Sequence, residues 1–310
     1  MQATWKRLPI LTWISVILKT DQTEQRPRKG DTKRRVKHLA FLLKNMRVLN
    51  IASGSAGNAT LIGDGSTHIL IDAGVSRKRI LNGLKQADLS MEDLDAILIT
   101  HEHTDHISNL GVLLRTREIP VYGTRGTLDG ILECPKLGAF DTALLHPVRP
   151  DEVFQIRDLK IRPLRTDHDA REPVCYRIEG EHASCAVVTD LGEYNDYLVE
   201  NLKDLDLLML EANHDIRMLE AGPYPYPLKM RIRGKLGHLS NEDAGCFLSQ
   251  LLHDKIRHIL LGHISKENNT SDLARLSVET EVDAAKNDYR ATDFDIRTLS
   301  QYVSSEVFEV

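Results

Sequence analysis

From Met46 onward the chain breaks into short apolar runs separated by glycine-rich or charged turns, and the spacing of apolar positions alternates between strand-like and helix-like periods. Residues 47–51, 59–63 and 68–72 read as strands, divided by the turns Ser53-Gly54-Ser55-Ala56-Gly57-Asn58 and Gly63-Asp64-Gly65. This predicts an opening meander of mostly antiparallel strands. A helix over about 77–86 leads to an apolar strand at 94–100, and a second helix is expected over about 107–115. Further strands are expected near Val121 and over 153–155, 159–164, 174–179, 183–189, 205–210 and 258–261. Helices are expected around 194–201, over 243–253 and from Ser271, with a last strand at 307–310. Strands come in groups with helices between the groups, and no repeat or low-complexity linker interrupts them. A layered α/β sandwich accommodates this better than a doubly wound sheet.

Residues 46–310 therefore read as one domain. The preceding segment is different. Residues 8–18 are apolar but are followed by Lys19-Thr20-Asp21-Gln22 instead of a small-residue cleavage site, and the run is too short to span a bilayer. Arg26, Arg28, Lys29, Lys33, Arg34, Arg35 and Lys37 then make a basic stretch. Residues 1–45 are read as a poorly ordered basic extension, with Met46 the expected true start; a nucleic-acid-binding arm and a membrane-associated or targeting segment are the alternatives. With 41% hydrophobic residues among 310 the chain can bury a sizeable core, and its formal net charge of −5 excludes a global basic field. Any polyanion must be held by a local patch or by metal. Cys134, Cys175, Cys185 and Cys246 show no C-x-x-C spacing and read as reduced thiols of a cytoplasmic protein without membrane association.

The densest chemistry follows the strand at 94–100: His101-Glu102-His103-Thr104-Asp105-His106. Imidazoles and carboxylates packed this closely ask for a cation, since they are ligands that zinc, manganese and iron accept. In an extended segment His101 and His103 point to one side and can grip one ion, whereas Asp105 and His106 suit a neighbouring second ion. The helical His-Glu-x-x-His motif is excluded because position 105 is Asp.

Four later positions share the same setting, a polar residue closing an apolar strand: His168, Asp190, His214 and His263. Asp190, after Ala186-Val187-Val188-Thr189, would cost heavily if buried alone and could bridge two metals. His238 precedes Ser240-Asn241-Glu242-Asp243, which has the form of a helix N-cap, and follows Arg231, Arg233 and Lys235. This predicts a basic loop that binds phosphate, with Ser240 and Asn241 at the helix start and His238 as proton donor. Lys266 is a further candidate cation, and Tyr224 and Tyr226 offer faces on which bases could stack. The Ser53–Asn58 turn lies between two strands and reads as structural.

These residues resemble the metallo-β-lactamase superfamily, whose H-x-H-x-D-H signature is matched at His101, His103, Asp105 and His106 and whose later positions are matched at His168, Asp190 and His263. Within it, the segments around Ser53, His168, Glu211, His238 and His263 resemble the YycJ/WalJ-type exonuclease group, with departures at Asp167 and Cys175 that touch no ligand. The resemblance implies a four-layer αββα sandwich. It also implies two divalent metal ions, zinc or manganese with iron chemically admissible, held by His101, His103, His168 and Asp190 and by Asp105, His106, Asp190 and His263. By similarity to tRNA 3′-processing endonucleases of the same superfamily, Glu211 and His238 form the pair that protonates the leaving oxygen, alongside Asp105 in the catalytic set.

The expected function is a phosphodiesterase using a metal-bridging hydroxide, a 5′-to-3′ DNA exonuclease of repair, with DNA preferred to RNA as partner. Two alternatives stand beside it: a thioesterase or lactonase-type hydrolase of the same fold, and a non-catalytic regulatory protein.

Overall fold

The computed structural model describes residues 46–310, so the expectations for residues 1–45 lie outside the described residues. Strands β1 (Arg47–Ala52), β2 (Ala59–Asp64), β3 (Thr67–Ile71), β4 (Ala96–Leu98), β5 (Val121–Thr124) and β6 (Leu145–Val148) join the last strand, β14 (Phe308–Glu309), in a seven-stranded sheet ordered β14-β1-β2-β3-β4-β5-β6. A second sheet, also of seven strands, holds β7 (Phe154–Ile156), β8 (Leu159–Arg165), β9 (Val174–Glu179), β10 (Ser184–Val188), β11 (Leu207–Glu211), β12 (His258–Gly262) and β13 (Ile296–Thr298), ordered β13 to β7. In each sheet an antiparallel meander passes into parallel pairing, at β3–β4 in the first and at β10–β11 in the second.

Parallel neighbours need long crossovers, and these are helical. In the first sheet they are α1 (Arg77–Gln86), α2 (Thr104–Ile107), α3 (Leu110–Thr116) and α4 (Arg125–Leu132). In the second they are α5 (Asp196–Asn201), α6 (Ile216–Ala221), α7 (Tyr226–Arg233), α8 (Asn241–Ser249) and α9 (Ser271–Ala284).

The strict side-chain alternation of strands sorts the apolar residues into three cores. Ile69, Ile71, Ala96 and Leu98 meet Tyr176, Cys185, Val187 and Met209 between the sheets. Leu70 and Ile97, pointing the other way, pack with Ile80 and Leu84 of α1, Leu113 of α3 and Leu128 of α4. On the far side Ala186, Val188, Leu210 and Leu261 pack against Leu198 of α5, Phe247 of α8 and Val278 of α9. Three cores between four layers make the αββα sandwich. Because both faces of the central strands are covered, β3 and β10 are buried at every position, which explains why they are mostly apolar without alternation.

Several elements differ from the sequence reading. The single helix expected over 107–115 is two, α2 and α3, whereas α8 begins at Asn241, directly after the expected cap, where Ser240 accepts from Asp243 N. Strand β6 carries Pro147 and is half exposed; proline is tolerated there because β6 is a sheet edge. The expected basic loop before His238 is largely helix α7, which fully buries none of its residues and rests on the protein only through partly buried Leu228, Lys229 and Ile232. Among the described residues no helix is long and apolar enough to cross a membrane.

The glycine-rich turn after β1 and the segment after β3 meet the histidine-rich segment backbone to backbone. Asn58 N donates to Asp105 O at 2.8 Å, Gly74 N donates to Asn58 O at 2.9 Å, and a Cβ at Gly74 would lie 1.5 Å from Asp105 O. Substituting Gly74→Ala is expected to destabilise the protein by about 3 kcal/mol or more, because rigid backbone must move. Thermal denaturation should show a fall of roughly 6 °C or more; an unchanged melting temperature would contradict this packing.

Candidate metal centre

Every expected ligand stands at the carboxyl end of a strand or just beyond it. The segment from His101 to His106 follows β4, His168 follows β8, Asp190 follows β10, Glu211 closes β11 and His263 follows β12. The two sheets are tied together here: Tyr176 Oη donates to Ile99 O at 2.9 Å, Val174 N donates to Thr100 O at 3.1 Å, and His263 N donates to Ser53 Oγ at 2.8 Å.

The convergence brings the ligand atoms of His101, His103 and His168 within 4.8 Å of one another, and those of Asp105, His106 and His263 likewise. Asp190 groups with His101 and His106 on one side, and with Glu211, His238 and His263 on the other. All seven expected ligands thus form one cluster with Asp190 between its halves. His214, weighed on sequence as a further candidate, is buried but belongs to none of these groups.

The imidazoles are aimed by what holds their other nitrogen. His106 Nδ1 donates to Asp72 Oδ2 at 2.7 Å, His101 Nδ1 lies 3.1 Å from Thr100 Oγ1, which itself donates to Asp72, and His168 Nδ1 donates to Gly237 O at 3.0 Å. Glu211 Oε1 accepts from His263 Nδ1 at 3.1 Å. Each of these four rings therefore turns Nε2 toward the cluster, the tautomer that a metal ligand needs. His101 Nε2, His263 Nε2 and Asp190 Oδ2 are buried there without a hydrogen-bond partner. Asp190 Oδ2 lies 3.1 Å from His106 Nε2 but out of alignment for a bond. Buried atoms of this kind are costly unless something binds them, and nitrogen and carboxylate donors fit divalent cations of the zinc, manganese and iron type.

Electrostatics divide the cluster in two. Burial, together with neighbouring imidazoles, holds His101 well below its ordinary value, and burial lowers His168 as well. Both are held neutral with a lone pair available. Around the second group carboxylates dominate. Burial opposes charge on His106 and His263, yet Asp72, Asp190 and Asp105 raise the first, and Asp190, Asp105 and Glu211 raise the second, well above the usual range. Burial would likewise raise Asp190, but His263, His106 and His101 hold it well below the ordinary carboxylate value. This half calls for positive charge, which protons or a cation can supply.

Beside the cluster His238 Nδ1 donates to Glu211 Oε1 at 2.7 Å and lies 3.7 Å from Asp190 Oδ1. Glu211 is fully buried and also accepts from Leu191 N at 2.8 Å. Burial lowers His238, but the charge and hydrogen bond of Glu211 outweigh it and raise the imidazole above its ordinary value.

The expected phosphate contacts are placed less simply. Arg231 pairs with Asp169, Arg233 with Glu220 at 2.8 Å and Lys235 with Glu193 at 3.0 Å. Lys266 is exposed and lies 3.7 Å from Glu267. Ser240 and Asn241 are turned inward: Ser240 Oγ caps α8, and Asn241 exchanges amide hydrogen bonds with Asn269 at 3.1 and 2.7 Å. Neither faces the cluster as a free donor, because the fold uses both.

Two residues outside the sequence reading belong to the centre. Asp72 accepts from Thr100 and His106 from a left-handed backbone (φ 61°), and it closes an apolar strand just as Asp190 does, so the same rule applied to β3 points to it. Asn58 Nδ2 lies 3.0 Å from His106 Nε2 and 3.4 Å from Asp105 Oδ2. It sits in the turn read as structural, and no local pattern marks it.

Comparison with known proteins agrees with this geometry. The family described as Beta-lactamase superfamily domain matches residues 67–264. The chain is 36% identical over 228 residues to Exodeoxyribonuclease YycJ of Bacillus anthracis, covering 74% of this chain and 86% of that protein. It is 37% identical over 228 residues to Exodeoxyribonuclease WalJ of Streptococcus pneumoniae, covering 74% and 85%. Among solved structures, the metallo-β-lactamase fold protein YhfI from Bacillus subtilis superposes with a TM-score of 0.65 at 18% identity, covering 86% of this chain and 100% of that one. With the four layers, the histidine-rich segment and the family match in agreement, the chain belongs to the metallo-β-lactamase superfamily of metal-dependent hydrolases.

Proposed function

We propose that this protein is a dinuclear phosphodiesterase, and more narrowly a DNA exonuclease of 5′-to-3′ polarity acting in DNA repair. The observation that carries the reading is the Glu211–His238 pair, 2.7 Å apart and standing beside the carboxylate shared by both ligand groups. The exodeoxyribonuclease names of the relatives support DNA as substrate. Polarity and a repair role rest on resemblance to the YycJ/WalJ-type group.

His101, His103 and His168 would hold one divalent ion, Asp105, His106 and His263 the other, and Asp190 both. Bound there, two such ions supply Lewis acidity toward a phosphoryl group and lower the pKa of water from 15.7 to about 7. Glu211 fixes the ring of His238 by taking its Nδ1 proton into a short hydrogen bond and favours the charged form. The remaining N–H at Nε2 can then pass a proton to the departing sugar oxygen. Glu211 also steadies His263, so one buried carboxylate orients both the proton donor and a ligand. Arg231, Arg233 and Lys235 sit in exposed ion pairs, worth about 0–1 kcal/mol each, which phosphates can replace. A run of cations beside the cluster suits a phosphodiester polyanion better than an uncharged lactone.

Three outcomes test this. Elemental analysis of the purified protein should find two equivalents of metal per chain, and chelation should lower the melting temperature as well as activity, since the buried carboxylates lose their counter-charge; one equivalent would refute the dinuclear assignment. His238→Ala should keep the metal and slow turnover by roughly 10²- to 10⁴-fold, and unchanged turnover would remove the proton-donor role. The metal-loaded protein should degrade 5′-labelled DNA and leave a thioester intact, whereas activity on the thioester alone would overturn the phosphodiesterase reading.

A further inference from the structure

We propose that the exposed face of α7 is a stacking platform for the single-stranded nucleic acid leading into the metal centre, an inference that rests on the phosphodiesterase reading above. Helix α7 fully buries none of its residues. Tyr226 and Met230 are 73% and 50% exposed, and Leu236 just beyond the helix is 52% exposed. Tyr226, Met230 and Arg233 are spaced i, i+4, i+7 and form one solvent-facing stripe of aromatic, thioether and guanidinium groups. Such faces accept any base by stacking and by cation–π contact.

The charge around the stripe suits a polyanion. Residues 221–239 contain Lys229, Arg231, Arg233 and Lys235 and no acidic residue. Arg231, Arg233 and Lys235 pair with Asp169, Glu220 and Glu193 in partly or fully exposed ion pairs that a phosphate can displace, and Lys229 donates to Glu220 O. A second copy of the chain fits worse, because a two-fold interface here would set four cations against the same four.

The platform is attached to the centre at one end. Arg231 grips Asp169, whose Oδ1 lies 3.5 Å from His168 Nε2 and 3.8 Å from His103 Nε2. Ile232 O accepts from His238 N at 2.9 Å. Tyr226 stands five residues back along the helix from Arg231, about 7.5 Å at about 1.5 Å per residue. That is about two stacked nucleotides at about 3.4 Å each. The platform is therefore expected to engage bases beyond the scissile position and to be out of reach of a small diester.

The test is the exposed double variant Tyr226→Ala with Met230→Ala. Hydrolysis of a single-stranded DNA oligonucleotide is measured beside that of bis(p-nitrophenyl) phosphate, and binding of a fluorescent, hydrolysis-resistant phosphorothioate oligothymidylate to the metal-loaded protein is followed by anisotropy. The ratio of kcat/KM on the oligonucleotide to that on the small diester should fall on the order of tenfold, with a similar loss of binding. An unchanged ratio with unchanged binding overturns the platform. So does a wild-type dimer that sedimentation shows becoming a monomer in the variant, since the face would then be a subunit contact. A wild-type protein that hydrolyses neither phosphodiester refutes the phosphodiesterase reading instead, and the anisotropy comparison still decides whether α7 binds single strands.

Discussion

A single buried carboxylate sets the terms for this structure. Asp190 is 3% exposed at the end of β10, and an isolated carboxylate in such a place costs on the order of several kcal/mol. The fold answers by delivering His101, His106, His168 and His263 to it from both sheets, with Asp72, Thr100, Gly237 and Glu211 holding their outer nitrogens. Asp72, Asp190 and His263 all take left-handed backbone conformations, with φ of 61°, 59° and 53°. Side chains with a β-carbon pay about 1–3 kcal/mol for sparsely populated geometry of this kind. All three stand just beyond strand ends, after β3, β10 and β12, where the left-handed turn directs the side chain toward the cluster.

The two halves of the cluster are chemically unequal. His101 and His168 are held neutral chiefly by burial, whereas His106 and His263 are pulled toward charge by the carboxylates around them. One half offers lone pairs and the other demands cations. Asp190 belongs to both, which is why positive charge bound at either side is felt by the other. Glu211 extends the arrangement outward: the same oxygen that accepts from His263 accepts from His238, so the two imidazoles share one anchor. The orientation of His238 and that of His263 thus depend on one buried carboxylate.

Much of the fold was legible because its strands are covered on both faces. Runs such as residues 68–71 and 184–188 are apolar at nearly every position, and the polar residue that ends each run is conspicuous. Elements that bury little were not legible: β6, an edge strand with a proline, and α7, a helix with no fully buried residue. Asp72 closes an apolar strand as Asp190 does, but its partners Thr100 and His106 are about thirty residues away, so its role follows from tertiary contact.

The sequence alone determined the donor types, their order and the metal-seeking character of residues 101–106, since three imidazoles and two carboxylates in six positions are local chemistry. It also determined the capped start of α8, because an N-cap is a contact between residues three apart. Only the tertiary structure decided that residues 105, 190 and 263 meet within a few ångströms, that Glu211 serves two histidines, and that Arg231, Arg233 and Lys235 are each already paired. The physical reason is range. Ligand chemistry and capping are written within a few residues, whereas the charge state and partners of a buried group depend on strand ends brought together across two sheets.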